Sequence, residues 1–562
     1  MVTQPTLIPI GYKREETAMH HKTNPWGVLL VVCLGTFMTA LDTTIVNVAM
    51  PSIITALQAS LDQILWVVFA YTLAYAVLLI TGGRLGDLFG QRAVFAAGLA
   101  IFTIASGCCG LAQDVQQLVA ARVAQGVGGA LLTPQVLATV TAIFPAERRG
   151  SAFGIWGATL GLGTVAGPTL GGLIVTDWSW RWIFYLNVPV GILTLLATVL
   201  VIPDLRAGRQ RRLDLFGVVL ASGALLAIVF GLIEGQHYNW GVIGDGITIP
   251  EVIGFGILAL AAFLIWERFQ AQPLLPLSLF ARRNFALMSG LNLATGFGIF
   301  GFFLPLTLYL QSVLGMSALR AGLVVAMFSV VSFFVAPFGG RLADRIGGKF
   351  IIMTGLASLA AGMGLVARLV TPSSSWATFL FPLALAGFGS ACVFATTAAT
   401  AMRQVPPALA GAASGVLSTM LSLGGVVGAA VVGAVLQNQL ALALPRRAVE
   451  YAGQVPAGLR RRFVAGFEPA GSAGLQVGAG QHTGIQLPPA TSTQVAQQLQ
   501  RLAHDVFASG FVDAMRPTLA VVVAVLALAA LSCVAIERNS KVAKVATDAG
   551  VAVAETAVSP AA

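Results

Sequence analysis

The residues of this chain that are best placed to do chemistry are a carboxylate and a guanidinium inside long apolar runs. Asp42 lies in the run 26–49, and Arg122 lies in the run 116–143. A carboxylate in the middle of a membrane costs about 2.5–3.5 kcal/mol on insertion scales, so it should face a cavity or an opposite charge. Counted from the same side of the membrane at the helical rise, Asp42 lies roughly 13 Å deep and Arg122 roughly 10 Å deep. The matching depths predict that the two side chains pair.

Such a pair can act as a proton-binding site. The arginine stabilises the charged form of the carboxylate until substrate or a conformational change alters the pairing, and the carboxylate then takes up a proton. The other interpretation is a permanent ion pair that only fixes helix packing. The first interpretation is favoured. It makes a proton gradient the expected source of energy, and no cofactor is expected.

Two charged, glycine-rich segments interrupt the apolar runs at equivalent places. The first repeat segment is 82–92 and the second is 339–349; each has a glycine pair, Arg-Leu, an aspartate three residues after the arginine and a final cation. These charges can hold the ends of neighbouring helices together, or the cations can merely orient the chain in the membrane. The candidate gating residues are Arg84, Asp87, Arg92, Arg341, Asp344 and Lys349.

A third feature is a series of glycines in the apolar run 152–175. Glycines four residues apart let two helix backbones approach closely, and a proline removes a backbone hydrogen bond and can bend the helix. The residues are Gly157, Gly161, Gly163, Gly167, Pro168, Gly171 and Gly172. A related series follows at 411–433, but Ala429 stands there in place of the proline. This asymmetry favours a specific role for the first series over generic packing.

Polar and aromatic side chains within the runs are weaker candidates for lining a substrate cavity. Since helix faces alternate, only some of them can point inward. The candidates are Asn47, Trp66, Gln125, Asn292, Phe297, Phe300 and Tyr309. They predict a largely apolar, aromatic cavity for lipophilic solutes, cationic ones included. Glu234, near the end of a further run, is a candidate extra acid.

The composition sets the class of protein. Of 562 residues, 57% are hydrophobic and only 10% are charged, and runs of roughly 20 apolar residues are long enough to span a bilayer. The net charge of +10 comes from cations that lie mostly between the runs. This placement is typical of membrane topology, so no nucleic-acid partner is expected. All five cysteines fall inside the runs, so neither a disulfide framework nor a metal site is expected.

No phosphate-binding G-x-x-x-x-G-K-[ST] sequence and no nucleophile constellation occur in the chain. We therefore expect neither ATP as the energy source nor an enzyme. We expect the chain to interact with partners other than ATP or nucleic acid. These are the lipid bilayer, protons and a lipophilic small molecule or lipid.

The predicted fold is an all-α polytopic membrane protein with fourteen transmembrane helices. Lys and Arg concentrate in the turns after even-numbered runs, which predicts that both termini are cytoplasmic. In both internal repeats, a run matches the run that comes eight places later in the chain. Two six-helix bundles with nothing between them would instead match each run with the run six places later. Two extra helices therefore lie between two six-helix bundles.

The expected organisation follows from this count. A cytoplasmic tail at 1–25 precedes the first six-helix bundle at 26–203, and a linker at 204–267 holds the two extra helices. The second six-helix bundle spans 268–536 and includes a long extracellular loop at 437–510. A disordered cytoplasmic tail follows at 537–562. Within the long loop, a helical hairpin over the outer mouth and a mobile surface loop both remain open.

These sequences resemble those of a known family. The two repeat segments resemble the signature loop of the major facilitator superfamily of transporters. The sequence at 118–130 resembles its fourth-span motif, in which the arginine is tied to proton transfer, and 157–172 resembles the antiporter motif of its exporters. Together with fourteen spans, the stretches 179–191 and 231–235 look like those of EmrB/QacA-type drug:proton antiporters.

The resemblance implies a multidrug efflux protein of the inner (plasma) membrane that confers antibiotic resistance. It implies alternating access, in which a proton is exchanged for the exported molecule, by a chain that works as a monomer. Two alternatives remain. One is an exporter of lipid or another metabolite on the same fold, and the other is a membrane scaffold or sensor that transports nothing.

Overall fold

The computed structural model describes residues 24–59, 61–145, 148–203, 214–235, 238, 240–244, 246–270, 273–403, 405–406, 409–467 and 493–536. Residues 1–23, 204–213, 468–492 and 537–562 lie outside these ranges. They hold most of the two predicted tails and parts of the predicted linker and loop. What is described is almost entirely helical.

Seven helices form the first part of the chain. They are α1 (Pro25–Leu57), α2 (Leu61–Phe89), α3 (Gln91–Leu111), α4 (Val115–Ile143), α5 (Arg149–Asp177), α6 (Trp182–Tyr185) and α7 (Asn187–Val201). Two more helices and a small antiparallel ribbon follow, namely α8 (Leu215–Glu234), β1 (Val242–Gly244), β2 (Ile247–Thr248) and α9 (Ile249–Phe269). The last part contains α10 (Arg283–Leu308), α11 (Ala318–Ile346), α12 (Gly348–Leu369), α13 (Leu380–Met402), α14 (Ala410–Tyr451), α15 (Arg460–Ala465) and α16 (Thr493–Ser532).

Within the described ranges, fourteen helices are long and apolar enough to cross a membrane. The short α6 and α7 together form one of them, and α15 is not among them. The predicted all-α polytopic fold is therefore confirmed. The helices α8 and α9 occupy most of the predicted linker, where they pack against each other, with Gly256 of α9 fitted against Ile228 of α8.

The two repeat segments are helical over most of their length, which differs from the loops that the sequence predicted. Helix α2 continues to Phe89 and α11 to Ile346, and each then stops at one glycine, Gly90 (φ +90°) or Gly347 (φ +88°). Glycine adopts this left-handed backbone at little cost, and other residues rarely do. The next helix begins at the following residue. The charged side chains therefore lie on helices, near the ends of α2 and α11 or, for Arg92 and Lys349, in the first turns of α3 and α12.

The two halves of the molecule touch at the end that carries the repeat segments. Gly83 of α2 packs on the backbone of Gly411 at the start of α14, and Gly340 of α11 packs on the backbone of Gly150 at the start of α5. A Cβ atom at Gly83 or Gly340 would collide with the facing carbonyl oxygen. Equivalent positions of the two repeats thus close this end by direct backbone contact.

The predicted loop at 437–510 is helical at both of its ends. Helix α14 runs on to Tyr451, and α16 begins at Thr493. Between these extensions, Arg447 Nε donates to Asp513 Oδ2 at 2.7 Å. Buried apolar residues of the two extensions include Leu440, Leu444, Ala448, Leu502, Val506 and Phe511. The described parts of this region form a helical hairpin rather than a surface loop.

Candidate functional site

The two charged residues predicted to pair are in contact in the structure. Arg122 Nη1 donates to Asp42 Oδ2 at 2.5 Å, and the side chains are 1% and 0% exposed. Asp42 lies in the middle of α1. Arg122 lies in the third turn of α4, which begins after the N-cap residue Asp114. Removing either charge would leave the other buried without compensation, so the two are tied to each other by electrostatics.

Two amide side chains complete the hydrogen bonds of this carboxylate. Gln125 Nε2 donates to Asp42 Oδ1 at 2.8 Å, while Gln125 Oε1 accepts from Arg122 Nη1 at 2.8 Å. Asn187 Nδ2 donates to the same Oδ1 at 3.3 Å. Gln125 was predicted to line a cavity, but it is fully buried and belongs to the ion pair. Asn187 was not among the predicted site residues.

The guanidinium of Arg122 is also held from α2. Arg122 Nε donates to Val67 O at 3.0 Å, and the guanidinium carbon lies 4.4 Å from the centre of the Tyr71 ring. A cation over an aromatic face is attracted by the quadrupole of the ring. These contacts keep the arginine in place independently of Asp42. Of the two partners, the carboxylate on α1 is therefore the one whose contacts can change more readily.

The arrangement is suited to binding one proton. The carboxylate accepts from Arg122, Gln125 and Asn187, and an ionised carboxylate is an acceptor only. A proton turns the oxygen that it binds into a donor, which then faces Arg122 if it is Oδ2, or Gln125 and Asn187 if it is Oδ1. Protonation must therefore rearrange the contacts between α1 and the helices that supply these donors.

Asp87 of the first repeat segment joins the two halves. Its Oδ1 accepts from Gly411 N at 2.7 Å and its Oδ2 accepts from Ala412 N at 2.9 Å. These amides belong to the first turn of α14, where backbone N–H groups have no partner within the helix and a negative charge is favourable. The carboxylate on α2 thus caps a helix of the other half.

The cations of the repeat segments have different surroundings. Arg92 donates to Val199 O near the end of α7 at 2.5 Å, and Lys349 donates to Val534 O just after α16 at 2.6 Å. Both cations therefore serve carbonyl groups at helix C-termini, as expected from the helix dipole. Arg84 is buried, whereas Arg341 is exposed and lies over the ring of Phe338. The side chain of Asp344 lies outside the described residues.

The glycines of α5 sort onto two faces. On one face, a Cβ at Gly163 would lie 2.7 Å from Ala40 Cβ, and a Cβ at Gly171 would lie 2.7 Å from Ile45 Cγ1, with Gly167 against the same helix. The glycines that face the second half are Gly157, Gly161 and Gly172. The side chain of Pro168 lies outside the described residues. Helix α5 therefore touches both the stretch of α1 around Asp42 and the other half.

The predicted cavity residue Tyr309 is buried among the helices. Its side chain is 0% exposed, its hydroxyl donates to Thr371 O at 2.7 Å, and its ring packs edge-on against Phe379. A phenol with a satisfied hydroxyl and no exposed surface stabilises the bundle. The aromatic pattern of its helix did not reveal this, because composition does not say which face a side chain occupies.

The other cavity candidates do not converge on one space. Asn292 is buried and donates to Leu417 O at 3.2 Å, and Phe297 is buried with its backbone against Gly428. Phe300 is 53% exposed. Trp66 packs on Phe230 of the inserted helix α8, with ring centres 6.1 Å apart. The side chain of Asn47 lies outside the described residues, and Glu234 is buried at the last residue of α8.

Comparison with known proteins places the chain in a family. The sequence model of the Major Facilitator Superfamily matches residues 32–429. The chain belongs to the Major Facilitator Superfamily. Members of this superfamily are transporters, so the chain is a multi-pass membrane transporter and not an enzyme.

Relatives within the Major Facilitator Superfamily include resistance proteins. The multidrug resistance protein Stp of Mycobacterium tuberculosis (strain H37Rv) is 37% identical over 417 residues, which cover 74% of this chain and 76% of Stp. The tetracenomycin C resistance and export protein of Streptomyces glaucescens is 36% identical over 432 residues, covering 76% and 78%. The crystal structure of the human organic anion transporter MFSD10 shares the fold, with a TM-score of 0.54 at 14% identity over 80% of this chain and 96% of that chain.

Sequence reasoning missed several residues of the site. Ser106 and Asn187 are buried and bonded to each other at 3.2 Å, and Tyr71 supports Arg122 from α2. A polar amide at the start of an apolar run is the signal that points to Asn187. Ser106 and Tyr71 carry no such signal, since a hydroxyl within a span often bonds to its own helix.

Proposed function

We propose that this transporter exports lipophilic small molecules in exchange for protons. The observation that carries the proposal is the fully buried Asp42–Arg122 pair, whose carboxylate lies within hydrogen-bonding distance of two amides. A titratable group held inside a membrane bundle is by default a functional group. Export, rather than uptake, is supported by the glycine series of α5 and by the names of relatives that are resistance and export proteins.

In the proposed cycle, a proton from outside reaches Asp42 and neutralises it. Arg122 stays with α2, so α1 is released from α4 and shifts against the glycine face of α5. Because α5 also packs on the second half, the shift reaches the closed end, where Asp87 leaves α14. Substrate then enters from the cytoplasm or the inner leaflet, and the proton leaves on that side.

Other parts of the proposal concern the setting of the protein. Both chain ends and the end with the repeat segments lie in the cytoplasm, on the side where Lys and Arg concentrate. The protein works as a monomer in the plasma membrane. The proton gradient supplies its energy, and no cofactor takes part.

The experiment is transport by purified protein in liposomes, with and without an imposed pH gradient. We expect the wild type to move a lipophilic cationic dye only with the gradient. The Asp42→Asn variant should lose gradient-driven transport, since it cannot bind a proton at position 42. The matched control is Asp505→Asn, which changes an exposed aspartate of α16 and should behave like the wild type.

Three other results would contradict the proposal in different ways. Undiminished gradient-driven transport by Asp42→Asn would exclude its role in coupling. Movement of fluorescent lipid but not of dye would identify a lipid exporter. If neither dye nor lipid moves in wild-type liposomes at any gradient, the protein is not a transporter of such molecules.

A further inference from the structure

The stretch between α5 and α7 brings an amide to the carboxylate of Asp42. The four-residue helix α6 ends at Tyr185, and α7 begins at Asn187 after a single intervening residue. This stretch is anchored to α3, because Arg181 Nη2 donates to Ala112 O at 2.9 Å. Ser106 Oγ of α3 also donates to Phe184 O at 2.9 Å. Asn187 is therefore held at a fixed junction.

The amide group of Asn187 links two partners. Its Nδ2 donates to Asp42 Oδ1 at 3.3 Å and to Ser106 Oγ at 3.2 Å, and the side chain is buried. Both amide hydrogens are thus used in hydrogen bonds, one to the carboxylate and one to the serine. Ser106 in turn donates to Phe184 O. A short chain of hydrogen bonds therefore runs from Asp42 to the backbone of α6.

Two of the donors to this carboxylate are amides, Gln125 and Asn187, and the oxygen of Gln125 already accepts from Arg122 Nη1. The ionisable groups that surround Asp42 are Arg122 on α4, Tyr71 on α2 and Cys109 on α3. Arg122 can only donate, whereas an asparagine side chain carries both a donor and an acceptor. Rotation of the amide would present its oxygen to a protonated Asp42 and withdraw its N–H group from Ser106. Asn187 can therefore serve both protonation states.

We propose that Asn187 is a positioning residue that sets the proton affinity of Asp42 and ties its protonation to α6. This inference rests on the proposed function of Asp42. In the structure as described, the amide donates to the carboxylate, and a hydrogen bond to the charged form of a carboxylate in general favours that form. When the proton binds to a carboxylate oxygen, the amide rotates, and the bond from Asn187 to Ser106 is lost.

The test is the pH dependence of transport by Asn187→Leu in liposomes. A hydrogen bond to a charged group changes an equilibrium by about ten-fold or more. Without this donor, the carboxylate keeps its proton more readily, and the pH of half-maximal transport should rise by about one pH unit. The Asn187→Ala variant adds no bulk, and we expect the same shift from it. The matched control is Thr194→Val on α7, whose hydroxyl bonds only to Val190 O of its own helix and whose pH profile should stay at the wild-type position.

The outcomes separate this inference from the proposed function. If Asp42→Asn retains gradient-driven transport, the proposed function fails. If Asp42→Asn loses it but a folded Asn187 variant keeps the wild-type pH profile, only the inference is overturned. An equal shift in Thr194→Val also overturns it, because the effect would then be a general loosening of α7. Reduced transport at every pH with an unchanged midpoint assigns Asn187 to packing alone and overturns the inference as well.

Discussion

At the scale of single residues, the two partners of the ion pair are not equivalent. Arg122 has bonds to α2 that do not involve Asp42, through Val67 O and the Tyr71 ring. All the described hydrogen bonds of the Asp42 side chain come from other helices. In the proposed cycle, neutralising the aspartate therefore frees α1, whereas the arginine keeps its bonds to α2.

Removing the arginine alone should be costly. The Arg122→Met variant leaves Asp42 buried without a counter-charge, which costs about 3–5 kcal/mol in comparable buried pairs. The double variant Asp42→Asn, Arg122→Met removes both charges and should recover much of that loss. Thermal unfolding in detergent measures both effects. The control is Arg181→Met, which removes an arginine bonded to a carbonyl and stacked on Trp180, and its loss should be about 1 kcal/mol. A single variant as stable as the double would refute this account.

The sequence predicted the contact between Asp42 and Arg122 but not its amide partners. Two opposite charges at similar depth in apolar runs have few other partners available. Their pairing can therefore be predicted from the free-energy cost of an unpaired charge inside a membrane. Gln125 and Asn187 are neutral, and a neutral amide in a span can bond to many groups. Which one it meets depends on helix rotation and on the one-residue break between α6 and α7, and neither is encoded in periodicity.

At the scale of elements, α5 contacts both the stretch of α1 around Asp42 and the second half. Its Gly163 face packs closely on α1, whereas a Cβ placed at Gly157 would make ordinary van der Waals contact, with the nearest atom 3.8 Å away. The glycine series reads as one motif in the sequence. In the structure, these glycines form two helix contacts, a close one with α1 and a looser one with the second half.

Alanine at two of these glycines should therefore have opposite effects. Gly163→Ala places a Cβ 2.7 Å from Ala40 Cβ and should destabilise the protein by about 1–3 kcal/mol through overpacking. Gly157→Ala fits without displacement and should be neutral or stabilising by about 0.5–1 kcal/mol, because alanine favours helix over glycine. Unfolding temperatures and resistance of expressing cells to a toxic dye check both. Equal damage from the two changes would show that the motif acts through flexibility rather than packing.

At the scale of the whole molecule, the two halves are held at one end by related contacts. Gly83 meets Gly411 and Gly340 meets Gly150, and Asp87 adds a charged cap on α14. The sequence predicted the repeat, and it left open whether the charges hold helix ends together or only orient the chain in the membrane. It placed these residues on loops, because a drop in hydropathy marks both a loop and the polar end of a helix.

Removing the cap between the halves should open this end. In Asp87→Ala, the first amides of α14 lose their carboxylate, and the closed arrangement loses a charge-assisted contact. Spin labels at the exposed positions Phe89 and Leu342, which lie on different halves, should report longer distances than in the wild type. Asp114→Ala is the control, since Asp114 caps α4 within one half by accepting from Gln117 N at 2.8 Å. An unchanged distance distribution in Asp87→Ala would show that glycine packing alone keeps the end closed.

The hairpin formed by α14 and α16 has a practical consequence for imaging. Helix α14 has 42 residues, so it is about 63 Å long, roughly twice the hydrocarbon thickness of a bilayer. About half of its length therefore exceeds the hydrocarbon thickness, and this extension belongs to the second half of the molecule. Such a protrusion distinguishes the two pseudo-symmetric halves in projection, so electron-microscopy particles of this transporter can be aligned without an added antibody fragment.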